Sequence, residues 1–235
     1  GGTLARGTEV WFWTESKWLL DFGMNFFAAQ DVPLVVSMSW GWPSNEMCGA
    51  SNPGQCSNGM TSQEYSNRTN VEFMKITARG VTLVASSGDT GAPGDEYSSC
   101  QKGLSDILPA SSPYVLAVGA TMIGKNPNNN KKSSPAPMSE TWGAKVCDKL
   151  LHPFVKCADG SETYEVVCSH PAALITSGGG FSKQFAMPSW QSSAVNSYLS
   201  SGVSLPPSSL YNANNRAFPD VSAYGHSYLV WMGDL

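Results

Sequence analysis

Apolar positions along this chain alternate between short, nearly continuous runs and stretches where they return every third or fourth residue. Thr8 to Trp13 (T-E-V-W-F-W) is β-branched and aromatic and predicts a strand. From Lys17 to Ala29 the residues Trp18, Phe22 and Phe26 share one helical face, which predicts an amphipathic helix. Leu34 to Met38 is almost wholly apolar and predicts a strand covered on both faces, as in a parallel sheet. After a turn-rich loop from Gly41 to Gly59, Thr61 and Glu64 stand in capping-box relation and should start a helix. Tyr65, Thr69, Phe73 and Ile76 form its inward stripe, Gly80 ends it, and Val81 to Ala85 is the next strand. Two strand–helix–strand units in succession predict an α/β fold with a right-handed, mainly parallel sheet and helices on both faces.

Tyr114 to Thr121 predicts a further strand, and Lys125 to Pro137 is polar and Asn/Pro/Ser-rich, as in an exposed loop. With the cysteine-bearing stretch up to Cys168 it reads as an insertion over about residues 125–175. Thr176 to Phe181 (T-S-G-G-G-F) reads as a tight loop, Ser189 to Leu199 as a weak helix, and Ser227 to Met232 as a last strand, after which the chain stops in mid-element.

Candidate chemistry gathers at strand ends. Val81 to Ala92 (V-T-L-V-A-S-S-G-D-T-G-A) carries an apolar run into small residues around one carboxylate, Asp89. Ser39-Trp40-Gly41 and Ser87-Gly88-Asp89 both follow strands, at the edge where open parallel sheets bind ligands. The bland alternatives are a turn aspartate that satisfies backbone N–H groups and packing tryptophans at Trp40 and Trp42.

Composition narrows the function classes. With 41% hydrophobic and 14% charged residues over 235 positions, the chain is globular and one large domain, 1–235, is preferred. A net charge of -4 offers no basic face for nucleic acid or an anionic membrane, and no run is long enough to span a bilayer. The first residues lack the order of a signal peptide. Six cysteines in loop-like surroundings suggest disulfides and an oxidising compartment, with Cys48–Cys56 the simplest local bridge; the absence of C-x-x-C argues against zinc. Asn67-Arg68-Thr69 is a glycosylation acceptor triplet, a pattern that often arises by chance and here falls in a predicted helix. Gly178 to Gly180 lacks the G-x-G-x-x-G spacing of a nucleotide loop, and Ser182 lacks the G-x-S-x-G of a nucleophile elbow.

Five blocks in order, S-M-S-W-G (Ser37 to Gly41), A-S-S-G-D-T-G-A (Ala85 to Ala92), L-P-A-S-S-P-Y-V-L-A-V-G-A-T (Leu108 to Thr121), S-G-G-G-F-S (Ser177 to Ser182) and R-A-F-P-D-V-S-A-Y-G (Arg216 to Gly225), resemble the sedolisin family of serine-carboxyl peptidases, which includes the tripeptidyl peptidases. The resemblance implies a subtilisin-like α/β fold and hydrolysis of peptide bonds at acidic pH, with peptides or proteins as substrates, in a secreted or lysosome-like setting. It maps the oxyanion-hole Asp onto Asp89. Ser39, Trp40 and Gly41 would flank an extended substrate, with Ser86, Ser87 and Gly88 on the opposite wall. A carboxyl donates a hydrogen bond only when protonated, and a Glu base suits acid better than His, which would be protonated and idle there.

The chain departs from that family at both ends. The G-T-S motif of the nucleophile does not occur, and neither Glu9 nor Glu15 fits the helix that carries the base. The family's calcium site is expected beyond Leu235, so no cofactor is expected in these residues. The expectation is the central part of a catalytic domain, inactive alone. The alternatives are a catalytically inactive peptide-binding relative, or an ordinary subtilisin-like hydrolase, a class that uses Asn where this chain has Asp89.

Overall fold

The computed structural model describes residues 7–49, 56, 59–94, 103–125 and 163–226. Among these residues the main sheet has five strands. Strands β1 (Val35–Met38), β3 (Thr82–Ser86), β5 (Leu116–Lys125) and β9 (Val221–Tyr224) run parallel in that spatial order. Strand β6 (Thr163–Val167) lies antiparallel on the far half of β5. Two further antiparallel pairs occur among the described residues: β2 (Trp42–Pro43) with β4 (Ile107–Leu108), and β7 (Gly180–Ala186) with β8 (Asn215–Phe218). The architecture is α/β with a mainly parallel sheet.

Helix α1 (Leu19–Ala28) and helix α2 (Ser62–Ala78) pack against each other. Gly23 makes this close approach possible, because a Cβ there would sit 2.6 Å from Glu72 Cβ. Leu19, Phe26, Tyr65, Phe73, Ile76, Leu83, Ala85 and Ala117 form one buried cluster between helices and sheet. The Leu20 N–H, an unpaired donor of the first turn of α1, donates to the Tyr65 hydroxyl at 3.1 Å. Burial pushes the Tyr65 phenol up, so it stays neutral and keeps that role. At the other end of α1, the Arg79 guanidinium donates to the carbonyls of Phe27 at 2.6 Å, Ala29 at 3.0 Å and Gln30 at 3.3 Å. One cation thus satisfies the carbonyl end of a neighbouring helix.

The capping box forms as the sequence predicts. The Glu64 N–H donates to Thr61 Oγ1 at 3.2 Å, and the Thr61 N–H donates to Glu64 Oε2 at 2.8 Å. Tyr65, Thr69, Phe73 and Ile76 are all buried, and Gly80 takes φ of +89° just past the helix end. Helix α3 (Ser192–Leu199) answers the weak helical pattern after Ser189.

Two expectations fail at the outer edge of the sheet. Thr8 to Trp13 has strand-like residues but joins no ladder among the described residues, and Val10 and Phe12 are exposed. Leu34 is 72% and Val35 60% exposed, so β1 is not covered on both faces. Among the described residues β1 pairs with β3 on one side and has no strand on the other, and apolar composition cannot distinguish an inner strand from an edge strand. Of the expected insertion over about residues 125–175, residues 126–162 lie outside the described residues, as do the strand predicted at Ser227 to Met232 and Cys100, Cys147 and Cys157. Cys48 and Cys56 are disulfide-bonded, whereas Cys168 is a free, buried thiol.

A buried ion pair locks the second half of the sheet. Arg216 is wholly buried, and its guanidinium grips Asp220 with two bonds, at 2.7 and 2.5 Å. The remaining donors reach the carbonyls of Ser112, Val115 and Ala217. Asp220 in turn accepts the Ala117 N–H at 2.8 Å, and Gln191 bridges Ala217 from both sides. Every strong donor is matched, which is the condition for a buried charge to be tolerated.

Arg216→Met in the full-length protein should cost about 3–5 kcal/mol by leaving Asp220 unpaired, read as a fall in the denaturation midpoint. Thr61→Ala should cost about 1 kcal/mol through the lost cap. The hydrogen bond from the Thr61 backbone, then that from its side chain, hold the Glu64 carboxyl below its ordinary value. Its stabilising effect is therefore full above the ordinary glutamate value and lost as pH falls through the lowered one. The stability difference between wild type and Glu64→Gln should shrink accordingly in acid.

Candidate active site

The register of β1 and β3 builds one edge of the site. Met38 lies opposite Ala85, so Ser39-Trp40-Gly41 and Ser86 to Asp89 leave the sheet side by side, about 4.8 Å apart at their start. Ser39, Trp40, Ser86 and Asp89 are exposed there. Ser87 is 2% exposed and faces inward, and Gly88 is half-buried.

A second segment completes the frame around Asp89. Its first fixed point is Ser177, whose hydroxyl accepts the Ala120 N–H of β5 at 2.9 Å while its N–H donates to the Cys168 carbonyl at 3.0 Å. Thr176 to Gly178 then runs beside Gly88 to Gly91, with Thr90 and Thr176 in a parallel bridge. The Thr176 N–H donates to the Asp89 carbonyl at 2.7 Å, the Gly178 N–H to the Gly88 carbonyl at 2.8 Å, and the Gly91 N–H to the Thr176 carbonyl at 2.9 Å. Ser87 Oγ donates to the Gly178 carbonyl at 2.8 Å. This approach needs glycine. A Cβ on Gly178 would fall well inside van der Waals contact with the Ser87 carbonyl. The main chain of Asp89 is therefore pinned, while its carboxyl makes no hydrogen bond or ion pair with another described residue.

Ile107 ties the two strand ends together. Its side chain lies against both Gly41 and Gly88, where added Cβ atoms would meet its Cγ2 and Cδ1. Behind it, the wholly buried Asp106 accepts from Ser44 Oγ at 2.6 Å, from Ser182 Oγ at 3.1 Å and from the Lys183 N–H at 3.1 Å. One carboxylate thus joins the loop after Trp40, strand β4 and strand β7. Neither Asp106 nor Ile107 is apparent as a site residue from the sequence. The available signal was a lone acid inside the apolar run L-S-D-I-L-P, which can be tolerated in a core only when fully bonded. The three glycines, read from sequence as a tight loop, bring Gly178 against the Ser87 main chain and Gly179 against the Phe218 carbonyl before β7 opens at Gly180.

Other features lie apart from Asp89. A groove of about 850 Å3 runs along the outer edge of β1 between Val10, Phe12, Trp18, Phe22 and Val35, and reaches Ser39 and Trp40 at one end. Burial pushes the Cys168 thiol up, which suits an inert core residue rather than a nucleophile. Among the described residues no group of three or more His, Cys, Asp or Glu could hold a metal ion. No described helix is long and apolar enough to cross a membrane.

Chemically, the arrangement offers a carboxyl with no partner among the described residues, on a hydrogen-bonded main chain at the carboxyl edge of a parallel sheet. Two short walls flank it, one carrying an exposed tryptophan. Such a frame can hold an extended chain and direct one proton donor at a chosen atom.

Comparison with known proteins gives this frame a lineage. The subtilase family profile matches residues 17–233. Physarolisin of Physarum polycephalum is 48% identical over 234 residues, which cover 98% of this chain and 38% of physarolisin. Tripeptidyl-peptidase 1 of Rattus norvegicus is 40% identical over 169 residues, covering 72% of this chain and 23% of that protein. Among solved structures, Pseudomonas sedolisin (serine-carboxyl proteinase) complexed with two molecules of pseudo-iodotyrostatin aligns at 22% identity with a TM-score of 0.47, over 87% of this chain and 40% of that one. The chain spans less than two-fifths of the length of either curated relative. By the family match over nearly all its residues and its similarity to physarolisin and tripeptidyl-peptidase 1, the chain belongs to the subtilase family, among its sedolisin-type serine peptidases.

Proposed function

We propose that these residues form the oxyanion side and the substrate walls of a peptidase that hydrolyses peptide bonds at acidic pH. The observation that carries the reading is Asp89: a carboxyl without a described partner, on a main chain fixed by Thr176 and Gly178 at a strand end. An extended peptide would lie between Ser39-Trp40-Gly41 and Ser86 to Gly88. Ser87, whose hydroxyl is committed to Gly178, would contribute backbone alone to that wall and act as a positioning residue.

When a nucleophile adds to the scissile carbonyl, negative charge grows on its oxygen. The protonated Asp89 carboxyl would donate to that oxygen, and the rigid frame would spare the site any reorganisation at that moment. The serine nucleophile and its carboxylate base would come from the longer polypeptide. Acidic conditions follow from the donor, because an ionised Asp89 has no proton to give. An acidic extracellular or lysosome-like compartment would supply those conditions, and the disulfide is compatible with either.

Asp89→Ala in the full-length enzyme should lower kcat/KM by about 10²–10³-fold on a peptide substrate, the usual cost of one oxyanion donor. Asp89→Asn keeps a donor at every pH, so it should retain more activity than the Ala variant and extend activity toward neutral pH. An unchanged kcat/KM in the Ala variant would overturn the proposal. Gly178→Ala should separate the two walls and abolish turnover, with a stability loss of about 1–3 kcal/mol from overpacking. Turnover and denaturation measured on the same preparation distinguish the two effects.

A further inference from the structure

Helix α2 carries a feature that the peptidase reading does not use. Asn67-Arg68-Thr69 has the form of an N-glycosylation acceptor. We propose that Asn67 is glycosylated, and that the transfer is confined to the nascent chain before α2 packs. In this reaction Asn67 Nδ2 forms a bond to the anomeric carbon of a lipid-linked oligosaccharide diphosphate. The lipid diphosphate leaves with the bonding electrons, and the amide gives up one proton to the transferase.

The structure separates the two halves of the acceptor. Residues two apart on an α-helix point about 200° away from each other. Asn67 is accordingly exposed, its Oδ1 accepting from Gln63 Nε2 at 3.1 Å, while Thr69 is completely buried in the face of α2 that packs on the core. A transferase must engage the amide and the hydroxyl together, and the folded helix presents only the amide. The exposed amide is nevertheless the position where a finished glycan fits without disturbing the core.

Two further observations point the same way. The Cys48–Cys56 disulfide lies just before α2, so this part of the chain matures in an oxidising compartment, the setting in which such transfer occurs. On the outer face, Val71 and Met74 follow Asn67 at i+4 and i+7 and are 47% and 41% exposed. A glycan on Asn67 would project beside this apolar stripe and shield it.

The test uses the full-length polypeptide secreted from a eukaryotic cell, with the Asn67 peptide followed by mass spectrometry. Enzymatic glycan release should convert Asn67 to Asp in that peptide. Asn67→Gln and Thr69→Val should each remove one increment of gel mobility shift, and Thr69→Ser should retain it. Should Thr69→Val fail to fold, Asn67→Gln, an exposed substitution, still gives the answer. Recovery of the peptide with only unmodified Asn67 from the wild-type protein would overturn the site. For the timing, protein translated into microsomes under a reversible block of transfer, and released from the block after folding, should stay unmodified at Asn67. Efficient late modification would overturn the restriction to the nascent chain.

Discussion

The position of Asp89 depends, through several links, on the buried pair of Arg216 and Asp220. Arg216 sits in β8, and β8 holds β7 in antiparallel register, Gly180 opposite Phe218. β7 begins where the Thr176 to Gly178 wall ends, so the wall that pins Asp89 is anchored at its far side by a guanidinium. Asp220 closes the circuit by accepting from Ala117 of β5, the strand that pairs with β3 and thereby with the Asp89 loop. A charged pair is an expensive anchor in a core. Here each hydrogen-bonding group of the guanidinium has an assigned partner, and its planar fork fixes direction as well as distance.

Local signals made much of the fold legible in the sequence. The capping box at Thr61 and Glu64, the stripe from Tyr65 to Ile76 and the turn at Gly80 are all set by residues within one helix, and all appear as expected. Pairing is a different kind of information. Thr8 to Trp13 has the chemistry of a strand, but a strand exists only against a partner, and among the described residues that segment has none. Leu34 and Val35 show the same limit: their apolar character states what they could bury, not what covers them.

For the candidate site, the position of Asp89 at a strand end was readable because the period of the pattern changes there. The parts that make the site rigid were not. Ile107 and Asp106 act through contacts with Gly41, Gly88, Ser44 and Ser182, residues distant in sequence, and nothing in a short run of L-S-D-I-L-P names those partners. The tight loop at Thr176 to Phe181 was legible from its glycines, but not what it meets: a Cβ on Gly178 would fall on the Ser87 main chain, and one on Gly88 on the Ile107 side chain. Backbone freedom in the unfolded chain becomes, after folding, contact between hydrogen-bonded backbones.

The cap that Arg79 places on α1 has a consequence for a chain exposed to acid. A tie that relies on an ionised carboxylate, such as Glu64 at the start of α2, weakens once that group takes up a proton. The links from Arg79 to the carbonyls of Phe27, Ala29 and Gln30 contain no carboxylate. The paired helices therefore carry one fastening that responds to acid and one that ignores it. The beginning of α2 can loosen at low pH while its end stays bound to α1.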